Sequence, residues 1–256
     1  MQKPGRGSVL RTVHTVANGL IFSAPFFEGV GDKTYDLIGH TEGNFLSTPQ
    51  WSSGPNGFAM DFDGVLDRIN FPHTEVWEDL PEITLEVIFQ IHQLPSEKED
   101  IEYVATKRNT SSPQNVINLR VRENDDKISF SIRNATDLVV TDALDAIVVN
   151  RWYHAIGTYD GALIKLYLDG VFQTSAVQTG NIYNADTYFR VGAHSGSAKL
   201  LDGKIELINV WNRALSEPEI INRVNDPYEI YRQRKIPVLY RTERGCAGST
   251  SVFSHA

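Results

Sequence analysis

Residues 152–170 read WYHAIGTYDGALIKLYLDG, and this stretch restricts the fold more than any other. Bulky and small residues alternate, break at Asp160-Gly161, alternate again and break at Asp169-Gly170. A period of two sends successive side chains to opposite faces of a strand. Asp and Gly tolerate the positive φ that tight hairpin turns demand. The stretch therefore predicts a β-hairpin. Trp152, His154, Ile156 and Thr158 share one face, and Tyr153, Ala155, Gly157 and Tyr159 share the other. Trp152 and Trp211 belong to strand motifs and are expected in the core. His154 has no second nearby His, no HExxH and no serine nucleophile motif beside it, so a structural hydrogen bond to a neighbouring carbonyl or acid is expected.

The same alternation recurs at 83–94, 115–123, 127–134, 187–194 and 203–211, bounded by Gly, Pro, Asn and Asp. Many short strands with little helix between them indicate an all-β antiparallel sandwich or jelly roll. One helix is predicted, at about 217–224. Ser216 and Glu219 form a capping box, Leu215 and Ile220 a hydrophobic staple, and Pro227 marks the end.

The 256 residues suffice for one large β domain. A formal charge of −8 argues against a general field for nucleic acid. The single cysteine, Cys246, leaves no internal disulfide or cysteine zinc site. The N-terminus lacks the apolar core of a secretory signal, and no run is long enough to span a membrane. The two ends read as arms. Arg6 and Arg11 lie in the first, and Arg232, Arg234, Lys235 and Arg241 lie in the second.

At this point WYHAIGTYDGALIKLYLDGV, YFRVGAH and LDGKIELINVWNRALSEPEI together resemble the LamG-like concanavalin A-type jelly-roll family. That family carries a W-x-H-x-x-x-x-Y-D-G strand pair, an L-Y-x-D-G turn and a closing strand and helix of this form. Segments 19–40 and 58–64 are similar to its first strands. The resemblance implies a LamG-like antiparallel β-sandwich jelly roll with two curved sheets of about six or seven strands each, to which the residues themselves add one short C-terminal helix and extended terminal arms. An N-terminal arm is expected at 1–18, the jelly roll at 19–226 and a basic C-terminal arm at 227–256. The opening KPGRG and the closing NDPYEIYR are also similar to LamG-like chains encoded among phage head and tail genes, although Asp226 departs from the compact form of that ending.

Four readings of the chemistry follow. Exposed aromatics stack on sugars, and Trp51, Trp77, Tyr103 and Tyr183, in loops or at strand ends, are the candidates. LamG-type relatives often bind one Ca²⁺ at a sheet edge, for which Asp61, Asp63, Asp202 and Glu206 would supply the oxygens. Glycoside hydrolysis needs two carboxylates across a cleft. Glu82 and Glu86 share a strand face, but the middle Asp of the hydrolase pattern is missing, so no enzyme is expected. The arm residues would tie the body to partners. The expectation is a non-enzymatic structural or adhesion component of a phage-like virion, assembled in the host cytoplasm. It would dock on capsid or tail proteins and on copies of itself, and meet host surface glycans through its loops. The alternative is a carbohydrate-binding, lectin-like module, with or without Ca²⁺.

Overall fold

In a computed structural model of the protein, the described residues are Lys3, Val9–Leu10, 15–109, 115–195 and 198–232. Arg6, Arg11, Arg234, Lys235 and Arg241 lie outside them, so the expected docking role of those side chains stays with the sequence. The alternating segments pair into two large sheets. In the first, Leu138–Asp142, Ile128–Arg133, Asn115–Val121, Glu102–Arg108, Phe189–Val191, Arg68–Phe71, Glu42–Leu46 and Lys33–Tyr35 lie side by side. In the second the order is Val171–Val177, Leu163–Leu168, Tyr153–Tyr159, Ile83–Ile91, Asp202–Trp211, Phe58–Asp63 and Gln50–Ser53, with Leu20–Ala24 along the last part of Asp202–Trp211. Each sheet thus has eight strands, one or two more than the resemblance implied. Short strands such as Glu42–Leu46 and Gln50–Ser53 alternate too weakly to announce themselves.

The hairpin at 152–170 behaves as its pattern requires. Tyr153, Ala155 and Tyr159 enter the core between the sheets, while Ile156 joins a second apolar cluster on the outer side. Asp160 Oδ1 accepts from the Ala162 and Leu163 N–H groups, and Asp169 and Gly170 both take positive φ. Gly157 is required for a packing reason. A Cβ there would collide with the Phe130 ring, which crosses from the first sheet.

The second sheet is covered on both sides. Its outer face meets the helix Glu217–Asn225 and the segment after it, so Trp211, Leu207, Tyr167 and Ile88 pack against Ile220, Tyr228, Ile230 and Tyr231. The capping box forms as predicted, with Glu219 accepting from the Ser216 N–H and hydroxyl at 2.9 and 2.8 Å. Trp211 is fully buried, whereas Trp152 is only half-buried at the margin of this cluster. Tyr228 to Tyr231 belong to the folded body, which therefore extends past the expected boundary at residue 226. Tyr231–Arg232 also pairs antiparallel with Val9–Leu10, and the Lys3 ammonium donates to the carbonyls of Phe26 and Glu206. Both ends fold back onto the sandwich at these points.

Candidate functional site

A cleft of about 510 Å³ opens at one end of the sandwich. Three loops build it: the turn at 134–137, the segment 179–184 and Asp79. Asn134 sets the turn, its Oδ1 accepting from the N–H groups of Thr136 and Asp137 at 2.8 and 2.6 Å, an Asx arrangement. Its Nδ2 donates to the Thr179 carbonyl at 2.8 Å. The Tyr183 N–H donates to the Arg133 carbonyl, and the Ile182 N–H to the Leu80 carbonyl. Asp79 and Asn184 close the rim with a reciprocal pair at 2.8 and 3.0 Å. The backbone is thereby fixed while polar side chains still face the opening. Among the described residues, neither the Asn181 amide nor the Thr179 hydroxyl has a hydrogen-bond partner, and both residues are exposed.

Of the four expected aromatics, only Tyr183 lines this cleft, half-buried. Trp51 is also half-buried, but it lies elsewhere, donating Nε1–H to the Gly31 carbonyl and leaning on Phe45. Trp77 and Tyr103 must be corrected. Trp77 is buried and stacked on Phe189 at 4.9 Å, with Lys107 over its ring. Tyr103 is buried under His194, ring centroids 4.3 Å apart, and accepts a hydrogen bond from Arg120. Neither ring is available to stack on a sugar. The cleft's Asn and Thr residues were not foreseen, because polar loop residues carry no periodicity that separates a site from a turn.

The four acids expected to hold Ca²⁺ do not converge. Asp61 and Asp202 approach one another around His92, with Asp202 Oδ1 3.0 Å and Asp61 Oδ1 3.8 Å from its two ring nitrogens, and Lys204 lies 3.5 Å from Asp61. Asp63 accepts from the N–H groups of Val65, Leu66 and Asp67. Glu206 turns to Tyr228 and Asn56. Ca²⁺ requires six to eight oxygen ligands, and a lysine with an imidazole between two carboxylates does not fit it. Among the described residues no group of three or more His, Cys, Asp or Glu could hold a metal ion.

The expected structural role of His154 is borne out, but its partner is a surprise. His154 Nε2 lies 2.7 Å from Glu86 Oε1, and Glu86 also receives Arg223 Nε and Nη2 at 3.1 and 3.0 Å and Asn209 Nδ2 at 2.8 Å. Burial pushes the Glu86 carboxyl up, yet the Arg223 charge and the His154 hydrogen bond outweigh it and hold the group down at about 2. Glu86 and Arg223 are both fully buried. Glu86 cannot meet a substrate, so the pairing of Glu82 with Glu86 across a cleft is absent.

Residues 60–221 match a laminin G-type family model described as the concanavalin A-like lectin/glucanases superfamily. The chain belongs to that superfamily. This concanavalin A-like chain is also 34% identical to mouse pappalysin-1 over 104 residues, a match spanning 38% of the chain and 6% of pappalysin-1. The binding domain of Paraclostridial Mosquitocidal Protein 1 superimposes with a TM-score of 0.68 at 16% identity, covering 84% of this chain and 54% of that one. Domain 4 of AbnA, an extracellular arabinanase from Geobacillus stearothermophilus solved with arabinotriose, gives 0.62 at 15% identity over 79% and 97%. The receptor-binding domain of botulinum neurotoxin C/D mosaic serotype gives 0.63 at 12% over 81% and 51%. These likenesses establish the jelly roll. The phage likeness has no counterpart in them.

Proposed function

We propose that the protein is a non-catalytic carbohydrate-binding jelly roll whose saccharide site is the cleft at Tyr183. The observation that carries this reading is the cleft's lining. One half-buried aromatic ring stands among amides and hydroxyls, Asn134, Thr136, Thr179, Asn181 and Asn184, with a fixed backbone beneath. A pyranose or furanose offers an apolar C–H face and a ring of hydroxyls, and this combination complements it. Asp79 is the one carboxylate in the lining, so the acid pair of glycoside hydrolysis is not assembled here. The arabinanase domain solved with arabinotriose supports arabinose oligosaccharides as a first panel. Titration of neutral oligosaccharides into the protein, followed by calorimetry, tests it. Tyr183→Ala should weaken binding about tenfold, the scale of one aromatic contact. Unchanged affinity in Tyr183→Ala and Asn181→Ala would sink the site, and sugar release by the protein would sink the non-catalytic reading.

The expected virion role is a second reading, favoured by the meeting of the two ends. The pairing sets Val9–Leu10 beside Tyr231–Arg232, a point from which a single tether could join capsid or tail proteins or sister copies. Deletion of residues 233–256 should then release the protein from particles while its thermal unfolding stays unchanged. Retention on particles would refute it.

A further inference from the structure

The outward face of the first sheet holds positive charge that its surroundings do not neutralise. Strand register lays Asn44, Asn70, Arg190, Thr106, Asn118 and Ser131 in one row across six neighbouring strands. Their alternate neighbours, among them Ile69, Phe71, Phe189 and Leu119, point into the core. Arg108 and Arg68 lie near Arg190, and the hairpin Ala193–Ser195/Ala198–Leu200 brings His194 within reach of Arg108, Lys199, Arg120 and Arg190. Burial first, then Arg108 and Arg68, push the Arg190 pKa down, and burial with Arg108, Lys199, Arg120 and Arg190 takes His194 to about 4. His194 is therefore neutral at physiological pH and adds no charge to this face.

None of these four arginines has a carboxylate within 4.0 Å among the described residues. The Nε atoms of Arg108 and Arg120 are buried without a hydrogen-bond partner there. The stretches next to these strands in sequence, 110–114 (TSSPQ) and 196–197 (GS), contain no Asp or Glu. A buried guanidinium N–H left unpaired is costly, and neighbouring like charges add to the cost. Carboxylates are not scarce, since the chain has 32 acidic residues against 24 basic ones. They are simply not placed here.

We propose that this face is a binding site for a tetrahedral oxyanion, the sulfate or phosphate group of a ligand, held chiefly by Arg108, Arg120 and Arg190. Guanidinium forks match such oxygens with paired, charge-assisted hydrogen bonds. Arg120 Nη1 already donates to the Tyr103 hydroxyl at 3.1 Å, which leaves that hydroxyl's own proton for the anion. Several uncompensated charges suit a dianion better than a carboxylate. The site is separate from the Tyr183 cleft and does not depend on the reading given to it.

The test is a titration of the ¹⁵N-labelled full chain with sodium sulfate, sodium phosphate and sodium acetate, each at ionic strength matched with sodium chloride. The arginine Nε–H resonances are the readout. Sulfate or phosphate should shift the Arg108 and Arg120 signals saturably and raise the melting temperature, and chloride should do neither. Arg120→Gln should weaken the response about tenfold, the scale of one charge-assisted pair. Absence of a saturable shift in the unaltered protein overturns the proposal without any variant. An unchanged titration in Arg120→Gln overturns the assigned residues, and acetate binding as tightly as the dianions overturns the ligand class. If N-acetylglucosamine 6-sulfate or glucose 6-phosphate binds more tightly than the free ion, an ester is the ligand. If the free ion binds equally well, the ligand is the ion itself.

Discussion

Arg223→Met is the most informative single substitution in this protein. Arg223 makes its contacts where water does not reach, bonding Glu86 through Nε and Nη2 and donating also to the Pro227 carbonyl. Methionine keeps most of the aliphatic stem, and removes the charge together with the guanidinium that lies over the Trp211 ring. Glu86 would then keep only His154 and Asn209. Stranding one member of a buried ion pair costs about 3–5 kcal/mol. The Glu86→Gln, Arg223→Met double variant has no stranded charge and should recover at least about half of that loss, since replacing both members is often near neutral. Urea unfolding of the parent, both singles and the double gives the coupling directly. The pH dependence has a defined sign. The Glu86 pKa is depressed in the folded state, so its contribution is full above about 4.5 and is lost as pH falls toward about 2. A cost under about 1 kcal/mol for Arg223→Met, or a double variant no more stable than the single, would refute the reasoning.

Gly157→Ala places a methyl group against the Phe130 ring and should destabilise by about 1–3 kcal/mol, the range for overpacking a core; a neutral result in thermal unfolding would mean the sheets separate freely there. Glu102 behaves oppositely to Glu86. Burial outweighs its Lys98 partner and raises its pKa to about 7, and its second oxygen has no hydrogen-bond partner among the described residues. A raised folded pKa confers stability that is full below about 4.5 and lost as pH rises through about 7. Glu102→Gln should therefore flatten the stability profile between pH 4.5 and 7, and an unaltered slope in Glu102→Gln would contradict the assignment.

How far the sequence could be read depended on how locally each feature is encoded. The hairpin at 152–170 and the helix at Glu217–Asn225 are written in adjacent residues, through turn chemistry, capping and period-two alternation, and both form as expected. Trp77 and Tyr103 were misread because their covers, Phe189 and His194, are remote in the chain. Nothing beside Glu86 in the chain announces Arg223 on a helix far downstream. The arginine face is not legible in the sequence for a related reason. Arg68, Arg108, Arg120 and Arg190 sit on four strands, and only pairing register brings them together. The cleft at Tyr183 is likewise made by three loops whose meeting depends on the whole sandwich.

The pairing of Val9–Leu10 with Tyr231–Arg232 gives this domain the geometry of a cassette. These two strands lie one strand spacing apart, about 5 Å, and, with the Lys3 anchor kept inside the insert, the body could be spliced into a surface loop of a host protein. A designer could also join the ends with a short linker and open the chain at an exposed turn such as Asp160-Gly161. The recognition surfaces would then be presented on a new carrier, with both sheets intact.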